Sequence, residues 1–240
     1  MSILCIDIGN SFAHVGLVKN GVVLERTDIA TPLLASGDTD AAAPVLALAA
    51  KARGAAWCSV VPKANAALLS ILAGAFAANR VLNLNAATLR GLAIVYPHPS
   101  ELGQDRLANA IGATKFCGSP VVSACLGTAS VIDAVSLRGY EGGAIAPGLS
   151  AFSDYLHEKT AQLPKIDVTD IATPSPIGRS THEAITNGIL YGYAGMVAAL
   201  VESVRAELAR ESGKPVSVVV TGGGARAIPE GFIPNARHIA

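Results

Sequence analysis

The alternation of apolar and polar residues follows one plan twice. "ILCIDIGNSFAHVGLV" near the start and "VVSACLGTASVIDAV" at 121–135 each read as two strands broken by a tight glycine turn. The first predicts a hairpin of residues 3–8 and 12–18, then "KNG" as a turn and "VVLERTDIA" as a third strand. The alanine-rich "DTDAAAPVLALAAKARG" suits a helix beginning near Asp38 or Asp40, and "AAWCSVVP" is a short apolar strand ended by Pro62. "KANAALLSILAGAF" continues as a helix, "RVLNL" as a strand and "GQDRLANAIGATKF" as a helix.

The second half reopens with a hairpin at 121–138, followed by the glycine-rich strand and turn "GYEGGAIAPGLS" and the helix "LSAFSDYLHEKTAQL". After the loop at 164–180 comes a long helix, 181–210, whose apolar side runs Ile185, Ile189, Met196, Leu200, Val204, Leu208. Ser180 and Glu183 form a capping box at its start. Gly188, Gly192 and Gly195 inside it disfavour helix and predict close approach of another backbone. "KPVSVVVTGGGARAIP" is a buried strand ending in three glycines. Laying Gly9 on Gly127 pairs Asp7 with Cys125, Ile8 with Leu126 and Asn10 with Thr128. An internal repeat of two α/β halves, 1–118 and 119–240, is the economical reading.

Composition narrows the function. Of 240 residues 51% are hydrophobic and 15% charged, with Lys+Arg and Asp+Glu at 18 each, so no basic field exists to attract nucleic acid or an anionic membrane. The start "MSILCIDIGN" has no basic leader, and no apolar run is read as approaching the ~18 residues of a membrane span, so a cytoplasmic protein is expected. Cys5, Cys58, Cys117 and Cys125 are widely separated without CxxC, and the five histidines have no paired spacing; buried reduced thiols are expected rather than a zinc site.

The glycine turns carry the candidate chemistry. A short carboxylate at a strand end, followed by Gly and a small polar residue, presents backbone N–H groups to a phosphate and can hold Mg2+ beside it. Asp7-Ile8-Gly9-Asn10-Ser11 meets the whole description, and Gly127-Thr128 the phosphate part. With Gly222 and Gly223 of "TGGG" placed to let the backbone pass close to an adenosine, the pattern describes a clamp for ATP held between two halves. Neither GxxxxGK(S/T) nor an early GxGxxG is present. In "YPHPSELGQDRLANAIGA", Gly103 permits a tight approach, Asp105 at a helix start is a candidate base, and Arg106 can hold negative charge.

These motifs, in this order, resemble the type III pantothenate kinases of the actin-like and sugar-kinase ATPase superfamily. The match runs through "DIGNS", "SVVP", "YPHPSELGQDR", "GTAS", "GGAIAPGL", "TAQLP", "GRSTHEAITNG" and "TGGGA". The resemblance implies two related actin-like (ribonuclease H-like) α/β halves with a nucleotide cleft between them. It implies ATP-dependent phosphorylation of pantothenate to 4'-phosphopantothenate, the first step of coenzyme A synthesis, and usually a homodimer. It places Asp7 to Ser11 around the ATP phosphates and Mg2+, with Phe12, Ala13 and His14 continuing that surface and Thr128 on the opposing loop. Tyr96, the stretch Gly103, Gln104, Asp105, Arg106, and Thr181 would hold pantothenate, with Asp105 as proton acceptor. Where the family ordinarily has an aspartate that ligates K+ or NH4+, this chain has Cys125, a poor ligand for a hard cation; a weakened or absent cation site is expected. The chain also stops at "NARHIA", short of the family's usual end. The alternatives are an accessory or regulatory protein on the same fold, and a kinase for a different small alcohol.

Overall fold

The computed structural model describes residues 1–168, 175–229 and 231–239, so part of the loop expected at 164–180 lies outside the described residues. The chain packs into two compact units, Met1–Gly91 with His98–Ala108, and Leu92–Pro97 with Asn109–Ala240.

In the first unit β1 (Ser2–Ile8), β2 (Phe12–Lys19) and β3 (Val22–Ala30) form an antiparallel meander. Asn20 and Gly21, both at positive φ, turn β2 into β3 as a two-residue hairpin requires. Next come α1 (Thr31–Ala35), α2 (Thr39–Ala49), β4 (Ala55–Ser59), α3 (Pro62–Ala75) and β5 (Val81–Asn83). β4 and β5 run parallel to β1, giving the order β3-β2-β1-β4-β5. Alternation puts Leu4, Ile6, Ile8, Val15 and Leu17 on one face, where Leu34, Val45, Leu48, Leu68 and Leu72 of the helices complete the core. The Asp38 carboxylate caps α2 by accepting from the Ala41 N–H at 2.9 Å. Helix α4 (Gln104–Cys117) follows, its residues through Ala108 in this unit and the rest in the second.

The second unit repeats the plan. β6 (Val121–Leu126), β7 (Ala129–Val135) and β8 (Tyr140–Pro147) form the meander, followed by α5 (Leu149–Lys159), α6 (Thr181–Ser212), β9 (Ser217–Thr221) and β10 (Ala236–His238). The order β10-β9-β6-β7-β8, read in reverse, is that of the first sheet, with β9 parallel to β6. Val122, Ala124, Leu126 and Ile132 face Ile185, Ile189, Tyr193, Val197 and Val201 of α6.

Several expectations change. The apolar side of α6 keeps four-residue spacing through Tyr193, Val197 and Val201, whereas Met196, Leu200 and Val204 lie at its half-buried margin. Gly188 and Gly195 have open space where a side chain would stand, and Gly192 has Phe152 at ordinary contact distance, so among the described residues no backbone approaches them. Residues 184–201 carry no charge. Among the described residues α6 is accordingly the one helix long and apolar enough to cross a membrane, although half of its most apolar window is buried in this core. α5 ends at Lys159 rather than 163, because Thr160 turns extended and its hydroxyl donates to the Leu156 carbonyl at 2.8 Å. The short helix α1 and strand β10 carry too few residues to show a period.

Candidate active site

The first unit gathers two of the carboxylates singled out above. Asp7, next to last in β1, lies opposite Cys58 of the parallel strand β4. The buried Cys58 thiol donates to Asp7 Oδ1 at 3.2 Å. Burial raises the Asp7 carboxyl above the ordinary carboxylate range; the Cys58 bond lowers it, the Asp105 charge raises it further and His14 lowers it. Burial and the Asp7 charge push the Cys58 thiol far up, so it stays an S–H donor.

The turn after Asp7 is braced from behind. The Gly9 N–H donates to the Phe12 carbonyl at 3.0 Å, the Thr31 N–H to the Ser11 carbonyl at 3.0 Å, and the Thr31 hydroxyl to the Gly9 carbonyl at 2.7 Å. Asn10, Ser11 and Phe12 stand exposed around this turn. Ile8 and Ala13 are fully buried in the core, so only their backbone can meet a ligand. His14 lies opposite Asp7 on β2 and bonds Asp28 of β3 at 2.8 Å.

Asp105 stands in the first turn of α4, where the helix end favours a carboxylate, and Oδ1 accepts the Arg106 N–H at 2.8 Å. A Cβ on residue 103 would come within 2.5 Å of that oxygen, so a side chain there would require the Asp105 carboxylate to move. Gln104 Oε1 accepts from the Ser59 N–H at 2.9 Å and from Asn83 Nδ2 at 3.0 Å. The last two residues of β4 therefore touch both carboxylate-bearing segments, Cys58 the end of β1 and Ser59 the start of α4.

In the second unit Gly127 bonds the Ala129 carbonyl at 3.0 Å, and the Gly148 N–H donates to the Thr128 carbonyl at 3.2 Å. A Cβ on residue 148 would meet the Gly127 and Thr128 carbonyl oxygens at 2.2 and 2.5 Å, so Gly148 braces this turn as Thr31 braces the other. Cys125 is half-buried, not fully buried, and pairs with Thr221 where Asp7 pairs with Cys58. Gly222, at φ 90°, packs its backbone against Leu126, while Gly223 has open space.

Tyr96 has a seat that the motifs did not reveal. The N–H groups of Val95 and Tyr96 donate to the Tyr140 carbonyl at 2.9 and 3.2 Å, and the Tyr140 N–H donates to the Ala93 carbonyl at 2.9 Å. The Tyr96 ring stands edge-on to Tyr140, whose hydroxyl donates to the fully buried Asp133 at 2.8 Å. A Cβ on Gly142 would lie 3.1 Å from the Tyr96 ring. At the start of α6, Ser180 caps the Glu183 N–H at 3.1 Å, and the Glu183 carboxylate accepts the Arg179 N–H at 2.6 Å, one residue before the box as first read. Thr181 is left exposed outside that cap.

Among the described residues no three His, Cys, Asp or Glu side chains cluster as a metal site. Mg2+ keeps several waters and takes one or two carboxylates with substrate phosphates. Asp7 at the strand end, with Oδ1 steadied by Cys58, fits that need. The Cys125 thiol does not fit a hard monovalent cation.

Likeness of sequence identifies the family. The family model described as type III pantothenate kinase matches residues 3–203. The chain is 37% identical over 227 residues to the type III pantothenate kinase of Methylacidiphilum infernorum, covering 94% of this chain and 79% of that one. It is 35% identical over 233 residues to that of Streptomyces coelicolor, covering 92% and 86%. Among solved structures it is similar to a protein of Campylobacter jejuni described as a conserved Baf family transcriptional activator, with a TM-score of 0.58, 17% identity and 98% and 90% of the two chains covered. A ROK hexokinase from Thermus thermophilus gives a TM-score of 0.51 at 15% identity, covering 99% and 92%. The structural likenesses show that the α/β fold is shared with these two proteins. From residue 3 to residue 203 the sequence carries the family pattern on that fold, and the chain belongs to the type III pantothenate kinase family.

Proposed function

We propose that this protein transfers the γ-phosphoryl group of ATP to the terminal hydroxyl of pantothenate, giving 4'-phosphopantothenate. The supporting observation is that the end of β4 bonds both the Asp7 strand end and the Asp105 helix start, and that the Asp105 charge is felt at Asp7. Family membership supplies the acceptor; the named relatives are pantothenate kinases, and nothing favours the accessory reading.

In this reading Asp105 accepts the hydroxyl proton, Arg106 balances negative charge, and Tyr96 and Thr181 hold the acceptor. The backbones of the Gly9 and Gly127 turns take phosphate oxygens, with Asn10, Ser11 and Thr128 beside them. Asp7 would hold Mg2+, which neutralises charge on the phosphates. Positioning and electrostatics provide most of the acceleration in such transfers. The protein acts as a homodimer, for which the exposed small residues Ala184, Gly188 and Gly195 of α6 offer a surface; light scattering tests this. It needs little or no K+ or NH4+.

A coupled assay with ATP, Mg2+ and pantothenate tests the reading. Wild type should turn over and Asp105→Asn should lose about 10²- to 10⁴-fold in kcat, the range of general-base removal. Equal trace turnover by both would end the enzyme reading. Cys125→Asp should gain a K+-stimulated rate that wild type lacks.

A further inference from the structure

Gln104 lies beside the proposed base, in the stretch expected to hold pantothenate, yet its side chain faces the protein. A glutamine carbonyl has two lone pairs and its amide two N–H groups. Oε1 accepts from the Ser59 N–H at 2.9 Å and from Asn83 Nδ2 at 3.0 Å, so both lone pairs are engaged. Nε2 donates to Asn83 Oδ1 at 3.3 Å.

The partners explain why. β5 pairs with β4 only as far as Trp57 opposite Asn83, and the Leu84 N–H takes the Trp57 carbonyl at 2.8 Å. The Ser59 N–H is beyond the last rung on that edge, in a residue 8% exposed, and would be left without a strand partner. Gln104 supplies the missing acceptor. Asn83, the last residue of β5, receives a bond from Asn85 Nδ2 at 3.0 Å on the oxygen that faces Gln104, and the Thr88 hydroxyl donates to its carbonyl at 2.6 Å. A relay Ser59–Gln104–Asn83–Asn85 thus ties the first residue of α4 to the ends of two strands.

We propose that Gln104 is a positioning residue for Asp105, locking the first turn of α4 to the end of β4 through Ser59 and Asn83, and that it does not bind the acceptor. This rests on the reading of Asp105 as the base. Consecutive Cα atoms are fixed ~3.8 Å apart, so pinning residue 104 pins the backbone that carries the Asp105 carboxylate. Gly103 leaves that carboxylate its room on the other side. A bond that fixes a base without touching the acceptor affects kcat and leaves acceptor binding alone.

The test uses the full chain in steady-state kinetics at varied pantothenate and saturating Mg2+-ATP, with a melting curve for each variant. Gln104→Met keeps the length and removes every bond of the amide. It should lower kcat roughly 10- to 100-fold, the scale of a misplaced reacting group, with KM for pantothenate within about twofold of wild type. Asn83→Ala, farther from Asp105 along the relay, should lower kcat in the same direction. The double variant should lose little more than Gln104→Met alone, as members of one network do. If Gln104→Met does not fold, Asn83→Ala carries the test, since unchanged kcat in that folded variant overturns the proposal. A tenfold rise in KM at constant kcat would make Gln104 an acceptor contact and overturn it, as would fully additive losses. Asp105→Asn in the same assay separates the two claims. If it keeps wild-type kcat, the base reading fails and the positioning role falls with it; if it is inactive while Gln104→Met changes only KM, the positioning role alone falls.

Discussion

Thr31→Val isolates the brace behind the first glycine turn. Thr31 is 2% exposed and its hydroxyl donates to the Gly9 carbonyl at 2.7 Å. Valine keeps the shape and replaces the hydroxyl by a methyl. The lost bond is worth about 1 kcal/mol, and a fully buried acceptor left bare would cost ~1–3 kcal/mol. Gly9 is half-exposed, so water restores part of this. Burying the extra methyl returns up to about 0.8 kcal/mol. The net expectation is a loss of about 1 kcal/mol, a fall of roughly 2–4 °C in Tm for a chain of this size. Stability alone does not separate a brace from ordinary packing, so the deciding measurement is KM for ATP. A turn loosened by about 1 kcal/mol should raise it roughly fivefold, since ~1.4 kcal/mol is tenfold. Thr31→Ser loses a methyl and some stability but keeps the hydroxyl, and should bind ATP as wild type does. If both variants share the wild-type KM, the hydroxyl does not shape the phosphate turn and the assignment of that turn to ATP loses its support from Thr31.

The seat of Tyr96 gives two further expectations. Tyr140→Phe removes the hydroxyl that donates to fully buried Asp133 and should lower stability by about 1–3 kcal/mol, the cost of leaving a buried acceptor without its donor, as read by chemical denaturation. Gly142→Ala forces a side chain onto residue φ 121° with its Cβ 3.1 Å from the Tyr96 ring, and should raise KM for pantothenate more than it lowers kcat.

The sequence revealed most where local pattern and global structure agree. The two meanders were legible because alternation, a two-residue turn and a glycine break fall within one short window, and their duplication exposed the repeat. Helix α6 was legible as a helix, but its buried side was read through Met196 and Leu200 when Tyr193, Val197 and Val201 carry it; small and aromatic residues between apolar ones shift a stripe without changing its period. The glycines of α6 were read as close contacts, yet composition cannot tell a notch filled by the same chain from one left open. The supporting side chains of the site were the least legible. Cys58 looks like any apolar strand residue until the register sets it against Asp7, and Tyr140 looks like core until its hydroxyl is found on Asp133. Thr31 offered one signal, a Thr-Pro pair at a strand end that suits a helix start, and Gly148 another, in "APGLS" before α5. Gln104 was placed correctly in the chain, but only the point where β5 stops shows which way its amide faces.

Asp7 shows how such a site strains the fold that holds it. Its carboxyl is raised by burial, and the Asp105 charge adds to the rise. The folded state therefore binds the Asp7 proton more readily than the unfolded chain does. Stability on this account is fully present below the ordinary carboxylate value of 3.8 and is lost as pH rises through the higher folded value. At neutral pH the ionised carboxylate destabilises the protein, and the Cys58 bond offsets part of that effect. Asp7→Asn keeps an oxygen that can accept from Cys58 and removes the charge. Without metal or nucleotide, it should melt above wild type at pH 7. The gap should close as pH falls toward 3.8. The same variant should lose kinase activity, since the group that burdens the fold is the one proposed to hold Mg2+. Melting curves in EDTA across that pH range, with the coupled assay alongside, decide it. A less stable Asp7→Asn at pH 7 would mean that Asp7 serves packing more than phosphate chemistry, and a stable, fully active one would remove it from the site.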